Sequence, residues 1–230
     1  MRLDRFITQH TGRPQKEVAR LLADGVVRVE GEVETSNLRE VDRFTAVAVG
    51  DEALPVEEAV YLMLNKPAGY LSATSDPEHP TVMELIDHPL RESLHLAGRL
   101  DRASTGLVLL TNNGCGSKGI TEPERGIGKR YLVETAEDIT PETVTKFAEG
   151  IYFAYEDLTT RPAELEVLDP RRARLTIHEG RYHQVKRMFH AVGHRVVSLH
   201  REAIGPLELD PTLEAGGVRS LRAEEIDFFR

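Results

Sequence analysis

The first 57 residues carry a hydrophobic pattern of their own. Apolar side chains recur there at helical spacing in two stretches. This predicts a helix that ends at Thr11-Gly12, and a second helix that begins at Pro14 and ends before Gly25. Alternating apolar and polar residues over 26–33 then predict a β-hairpin. We therefore expect a small helix-helix-hairpin module over residues 1–57.

A polar segment separates this module from a larger domain. Residues 50–59 contain a glycine, a proline and four acidic residues, a composition typical of a linker. Beyond it, the apolar runs 60–64 and 107–110 predict buried strands, and alternation over 173–177 predicts a half-buried strand. We expect an α+β domain over residues 58–230, with a mixed, mainly antiparallel sheet flanked by helices.

Glycine marks two further features of this domain. Apolar residues at helical spacing over 185–192 predict a helix that Gly193 ends. Residues 114–128 contain five glycines, and their spacing matches neither a phosphate-binding loop nor a dinucleotide fingerprint. We interpret residues 114–128 as a mobile loop.

Composition argues against several classes of protein. No apolar run reaches the roughly 18 residues that a membrane span needs, and the first residues do not resemble a signal peptide. Cys115 is the single cysteine, so we expect no internal disulfide and a reducing, cytoplasmic location. His190 and His194 lack the glutamate of the zincin motif, and we expect no metal site.

The net charge of −9 argues at first against a nucleic-acid partner, but the charges are unevenly distributed. Between residues 171 and 201 the chain holds eight arginines and lysines and five histidines, against one acid. A solvated surface would explain such a run. Its position in an otherwise acidic protein favours a local binding site for an anion.

A carboxylate flanked by arginines stands just before one of the predicted buried strands. Asp101 lies between Arg99 and Arg102, and Gly98 and Gly106 enclose the group. The two glycines indicate a backbone path that side chains would obstruct. A surface ion pair is one interpretation. The other is a catalytic loop, since a loop held by a buried strand is a common place for reactive residues.

Four stretches of the larger domain form an ordered set of motifs. They are Asn65-Lys66-Pro67-Ala68-Gly69-Tyr70, then Gly98-Arg99-Leu100-Asp101 with Thr105-Gly106-Leu107, then Lys129-Arg130-Tyr131-Leu132-Val133, and finally Glu179-Gly180-Arg181-Tyr182-His183-Gln184-Val185-Lys186-Arg187-Met188. This set resembles the RNA pseudouridine synthases, specifically the Rsu branch that acts on 16S ribosomal RNA. The resemblance implies conversion of uridine to pseudouridine without metal or cofactor. It also implies ribosomal RNA as the partner of a monomeric enzyme with no membrane attachment.

The resemblance also implies roles for individual residues. Asp101 would be the catalytic carboxylate, and Lys186 would be the neighbouring cation that favours its charged form. Tyr131 would stack on the extruded uracil and so offset part of the cost of leaving the RNA stack. The implied substrate-binding residues are Arg99 where the uridine leaves the RNA, Ile177 in the pocket, and Arg181, Arg187 and Arg201 on phosphates. Lys66 follows the predicted strand 60–64, where a turn residue near the surface is one interpretation. A lysine that faces the RNA or supports the active-site loop is the other, and we favour support of the loop.

The N-terminal module resembles the RNA-binding module of ribosomal protein S-four. Its candidate RNA-binding residues lie largely off the apolar faces of the two predicted helices, at Arg2, Arg5, Lys16 and Arg20. A small stabilising appendage is the alternative for this module. For the whole chain, two alternatives stay open: a non-catalytic RNA-binding or ribosome-assembly factor, and a synthase that acts on large-subunit 23S ribosomal RNA.

Overall fold

The computed structural model describes residues 1–229 and divides into two compact units. The first unit is Met1–Ala59 and the second begins at Val60. The division falls at the end of the acidic segment 50–59 that we interpreted as a linker.

The first unit packs two helices on a small antiparallel sheet. Its elements are α1 (Leu3–Thr11), α2 (Gln15–Ala23), β1 (Val27–Val29), β2 (Glu32–Val33), β3 (Val47–Val49) and β4 (Glu52–Ala53), in the sheet order β2-β1-β3-β4. Gly12 ends α1 in the left-handed conformation, with φ 70°. Glu30 and Gly31 both have positive φ, as a two-residue hairpin turn requires. Strands β3 and β4 were not predicted, and β4 lies within the segment 50–59 that we interpreted as a linker.

The second unit is built on one large sheet. Its strands are β5 (Tyr61–Lys66), β6 (His95–Leu96), β7 (Thr105–Thr111), β8 (Lys129–Thr135), β9 (Tyr152–Phe153), β10 (Leu158–Thr159), β11 (Glu164–Asp169), β12 (Arg172–Ile177), β13 (Val196–Ile204), β14 (Leu207–Glu208) and β15 (Val218–Ser220). Its helices are α3 (Gly114–Thr121), α4 (Pro141–Glu149), α5 (Gln184–Ala191) and α6 (Ala223–Ile226). Strands β9 and β10 form a separate hairpin.

The sheet runs in the order β11-β12-β8-β13-β7-β5-β15, with β6 beside β7 and β14 beside β13. Within residues 1–229, β7 and β13 are the parallel pair of this sheet, and its other neighbours run antiparallel. Buried side chains of α4 and α5 pack with those of β8 and β12 in the main core. The predicted α+β class with a mixed, mainly antiparallel sheet is confirmed. No helix in the described part of the chain has both the length and the apolar character to cross a bilayer.

The interpretation of residues 114–128 as a mobile loop is wrong for much of the segment. Helix α3 occupies Gly114–Thr121, and a 3₁₀ turn follows at Pro123–Arg125. The Asn113 side chain accepts a hydrogen bond from the backbone of the first helical turn, and Ile120 is fully buried. Burial and this cap outweigh the low helix propensity of glycine, which the sequence pattern alone could not weigh.

Strands β7 and β13 approach each other unusually closely at Gly106. Its φ is +103°, and a Cβ at this position would lie 2.7 Å from the backbone nitrogen of Arg201 and closer still to the Arg201 carbonyl oxygen. Only a residue without a side chain fits there. The loop that contains Asp101 therefore enters the sheet at a point fixed by backbone contact with β13.

Candidate active site

An open cavity of about 770 Å³ lies in the second unit. Its walls come from the loop before β7, the start of β8, the end of β12, the segment that leads into α5, and β13. The predicted site residues that line it are Arg99, Asp101, Tyr131, Ile177, Arg181, Lys186 and Arg201. Residues from motifs far apart in the sequence therefore meet around one cavity.

Asp101 is held in this cavity by two side chains of the α5 segment. The Lys186 Nζ lies 2.9 Å from Asp101 Oδ2, and the His183 Nε2 lies 3.3 Å from Oδ1. Lys186 is in the first turn of α5, and His183 is the residue that precedes this helix. Each carboxylate oxygen thus faces a nitrogen, while the Asp101 side chain stays about a quarter exposed to solvent.

Hydrogen bonds from the Lys66 side chain hold the backbone of the loop that carries Asp101. This lysine is fully buried at the end of β5, and its Nζ donates hydrogen bonds to the carbonyl oxygens of Pro67, Arg102 and Ser104 at 3.0, 3.2 and 2.8 Å. Burial lowers the pKa of Lys66 to about 8, although attraction to Asp101 opposes part of that shift. The ammonium group supports the loop, as we expected from its motif.

Ser72 fixes the other side of the same loop. Its Oγ donates to the Leu100 carbonyl oxygen at 2.9 Å and accepts from the Leu100 backbone nitrogen at 3.0 Å. The residue immediately before Asp101 therefore has both backbone groups satisfied by one buried hydroxyl. This pairing restricts the direction in which Asp101 leaves the backbone.

Arg201 is buried, which differs from the phosphate contact that we expected of it. Its side chain is 1% exposed, and its guanidinium donates to the carbonyl oxygens of Leu107 at 2.8 Å and Arg99 at 3.2 Å. A side chain so buried offers almost no surface to a phosphate of the RNA. Arg201 instead connects β13 to both ends of the Asp101 loop.

An aromatic and aliphatic wall stands beside the carboxylate. Tyr131 on β8 is 6% exposed and Ile177 on β12 is 3% exposed, and both line the cavity. Because β8 and β12 are neighbouring antiparallel strands, these side chains lie on one continuous surface. That surface could accept a flat, apolar ring.

The remaining predicted arginines differ in position. Arg99 is exposed and Arg181 is exposed, and both line the cavity, where Arg181 Nε pairs with Glu179 at 3.1 Å. Arg187 is not among the residues that line the cavity. Its guanidinium pairs with Glu156 at 2.5 Å and stacks over the Phe153 ring at 3.9 Å. The structure does not bring Arg187 together with the other site residues.

Two cavity residues were missed as site candidates. His183 belongs to the last motif but received no role from the sequence, and its ring nitrogen contacts Asp101. Its φ of 48° is rare for a residue with a side chain and occurs often at functional sites. Lys129 also lines the cavity, two residues before Tyr131. Strand alternation places these two on one face, and this periodicity was available in the sequence.

The predicted basic residues of the first unit all reach its surface. Arg5 on α1, and Lys16 and Arg20 on α2, are exposed. Arg2 is half-buried and pairs with Asp4 at 2.5 Å, so its charge is already matched within α1. In residues 1–229 no cluster of three or more histidine, cysteine, aspartate or glutamate side chains has the arrangement of a metal site.

The second unit thus combines a mixed sheet with a partly exposed carboxylate that contacts a lysine and a histidine beside an aromatic wall. The chain belongs to the RNA pseudouridylate synthase family, whose family model matches residues 60–191. Ribosomal small subunit pseudouridine synthase A of Pseudomonas aeruginosa is 48% identical over 227 residues, covering 98% of this chain and 99% of that protein. The protein of the same name from Yersinia pestis is 45% identical, covering 98% of this chain and 97% of that one. A crystal structure of a pseudouridylate synthase is 41% identical, covers both chains fully and superposes with a TM-score of 0.73.

Proposed function

We propose that this protein isomerises a uridine of 16S ribosomal RNA to pseudouridine, with Asp101 as the catalytic carboxylate. The observation that carries the proposal is the placement of Asp101 between Lys186 and His183 in an open cavity walled by Tyr131. The names of the full-length relatives support small-subunit ribosomal RNA as the substrate. Such a substrate would place the enzyme in the cytoplasm, where we propose that it acts as a monomer.

The reaction breaks the N1–C1′ bond of uridine, turns the uracil in place and joins C5 to C1′. The C5 hydrogen leaves and N1 gains a proton, so no redox or metal chemistry is required. The Asp101 carboxylate would meet the sugar, with the Lys186 Nζ 2.9 Å from its Oδ2. The backbone contacts from Lys66 and Ser72 hold this carboxylate in a fixed direction before substrate arrives.

The uridine must leave the RNA stack to reach Asp101. Extrusion costs on the order of a few kcal/mol, and stacking on one aromatic side chain returns about 1–3 kcal/mol. Tyr131 would supply that surface and Ile177 would extend it. Arg99 and Arg181, both exposed at the cavity, would hold the RNA on either side of the extruded nucleotide.

We further propose that the first unit is an S-four-like RNA-binding module. Its support is the surface of Arg5, Lys16 and Arg20 on two neighbouring helices, in a protein whose net charge is −9. The module would increase affinity for RNA without contributing to the chemical step.

The deciding experiment measures release of tritium from RNA transcripts labelled at uridine C5. Wild-type protein should release label from 16S RNA and not from 23S RNA. Asp101→Asn should bind the RNA but release no label. The control Asp138→Asn removes an exposed carboxylate that pairs with Arg171 at 2.7 Å, and should retain full activity. Release from 23S RNA alone would favour a large-subunit enzyme, and RNA binding without release by wild type would favour a non-catalytic assembly factor.

A further inference from the structure

Lys129 lies on the same face of β8 as Tyr131. The exposure of β8 alternates along the strand, and both residues line the cavity. Arg130, between them, points to the opposite face and pairs with Glu202 at 3.3 Å and Glu208 at 2.7 Å. Two residues along a strand span about 6.6 Å, so the flexible Lys129 side chain reaches the edge of a ring that stacks on Tyr131.

The charge of Lys129 is not matched by the protein. Its ammonium takes part in no hydrogen bond or ion pair that the structure records within residues 1–229. Asp101, the acid among the residues that line the cavity, already faces Lys186 and His183. Glu179, which precedes the lining residue Gly180, pairs with Arg181. Burial lowers the pKa of Lys129, and the positive charge of Arg201 lowers it further. A half-buried cation without a partner is costly, and a ligand that supplies an acceptor relieves the cost.

The surroundings of Lys129 select the kind of acceptor. Ile177 is its cross-strand neighbour on β12, and Tyr131 follows on its own strand, so the wall around the ammonium is mainly apolar. When a uracil lies flat against this wall, its polar atoms are at the edge of the ring. Its acceptors there are the oxygens of the two ring carbonyl groups. Phosphates, in contrast, would remain at the open side of the cavity near Arg99 and Arg181.

We propose that Lys129 is a further catalytic residue, which donates a hydrogen bond to a carbonyl oxygen of the uracil and stabilises the negative charge that develops there. This inference rests on the proposed function. When the N1–C1′ bond breaks, its electron pair stays on the uracil and spreads to the carbonyl oxygens. The ring returns a pair to C1′ when C5 forms the new bond, the C5 proton leaves and N1 is protonated. Lys129 exchanges no proton in this step, and its stabilisation is greatest when the ring carries charge.

The first test compares Lys129→Met with Lys129→Arg and the control Arg130→Met in the full-length protein. Single-turnover rates and KM are measured on the same C5-labelled 16S RNA. Loss of a hydrogen bond to a charged group predicts a fall of about 10- to 100-fold in rate for Lys129→Met, with KM within about twofold. Lys129→Arg keeps the charge and should recover part of the rate. Arg130→Met acts on the opposite face and should remain within about twofold of wild type.

The second test changes the acceptor instead of the donor. Target uridine is replaced by 2-thiouridine or by 4-thiouridine, whose sulfur is a weaker hydrogen-bond acceptor. Wild type should be slowed on one of the two RNAs, and Lys129→Met should not discriminate between that RNA and the uridine RNA. This dependence on a substrate atom would not arise if Lys129 had only a structural role.

The outcomes separate this inference from the proposed function. If wild type releases no label, the proposed function fails. If wild type is active and Lys129→Met keeps its rate within twofold, or raises KM alone, Lys129 is not catalytic and the inference is overturned. If circular dichroism shows that Lys129→Met does not fold, the rates of wild type on the two thio-substituted RNAs decide whether the inference holds. Equal rates on both and on uridine would overturn the inference.

Discussion

Lys186 and Asp101 come from different motifs, yet the lysine Nζ lies 2.9 Å from the aspartate Oδ2. The helix α5 presents the lysine in its first turn, and the residue before that helix, His183, contacts the other carboxylate oxygen. The carboxylate is thus shared between two nitrogens from one short segment. This sharing makes a specific prediction about how the two residues combine.

We expect Lys186→Met to lower the rate of tritium release by about 10- to 100-fold, because it removes a hydrogen bond to a charged group. His183→Gln should cost less, since glutamine can still donate to Asp101. The fold-loss of rate in the double variant should differ from the product of the two single losses, because both side chains contact one carboxylate. Single-turnover rates of the four proteins test this, and strictly multiplicative effects would contradict a shared role at Asp101.

The close approach at Gly106 predicts a difference between two glycine substitutions. Gly98 and Gly106 have φ values of +100° and +103°, but a Cβ at Gly98 would meet no atom within 4 Å. Gly98→Ala should therefore cost only backbone strain, about 1–3 kcal/mol. Gly106→Ala should cost a further 1–3 kcal/mol or so, because the methyl group overlaps the Arg201 backbone. Urea unfolding of both variants measures the difference, and equal stabilities would contradict the fixed contact between β7 and β13.

Buried Lys66 predicts a rise in stability with pH. Its pKa is lowered to about 8, so between pH 8 and 10.5 the unfolded chain binds more protons at this residue than the folded chain does. The contribution of Lys66 to the free energy of unfolding should thus increase over this range, by at most about 1.4 kcal/mol per pH unit. Below pH 8 the ammonium is charged in both states, and its contribution should be constant.

The measurement compares wild type with Lys66→Gln by urea unfolding at several pH values, so that other titrating groups cancel. Wild type should gain stability relative to the variant as the pH rises from 8 to 10.5. A difference that stays constant with pH would contradict the lowered pKa of Lys66.

The basic surface of the first unit predicts a change in the salt dependence of RNA binding. Replacing Arg5, Lys16 and Arg20 together by glutamine should weaken binding and reduce the slope of log K against log salt by about 2. Arg39→Gln is the matched control, because Arg39 already pairs with Glu34 at 3.1 Å. The single-turnover rate at saturating RNA should not change. An unaltered salt slope would favour a stabilising appendage.

The pattern of apolar residues and glycines along the chain was sufficient to predict most of the helices and strands. Apolar periodicity and glycine stops located α1, α5 and β7, because these elements bury one face or both faces fully. The pattern was not sufficient for α3, whose glycines have low helix propensity and whose stability comes from a side-chain cap and the burial of Ile120. Tertiary packing of this kind leaves no periodic trace in the sequence.

The candidate site was only partly accessible from sequence. The motifs indicated Asp101, Tyr131 and Lys186, and the structure places all three at one cavity. The burial of Arg201 was not accessible from the sequence, because a basic run does not reveal which of its members point into the protein. Arg201 lies on β13, where it donates to the carbonyl oxygens of Arg99 and Leu107, and only the sheet order shows that β13 and β7 are neighbours.

The close contact between Gly106, near the start of β7, and β13 limits which changes of sequence the enzyme can accept in evolution. Gly106 is fixed against β13, so the position of the carboxylate depends on the length of chain from residue 106 back to residue 101. One inserted amino acid would add up to about 3.5 Å of contour, more than the whole separation between the carboxylate and its ammonium partner. We therefore expect this segment to accept exchanges of the exposed Ala103 more readily than any insertion or deletion, which would alter the distance between the two fixed points.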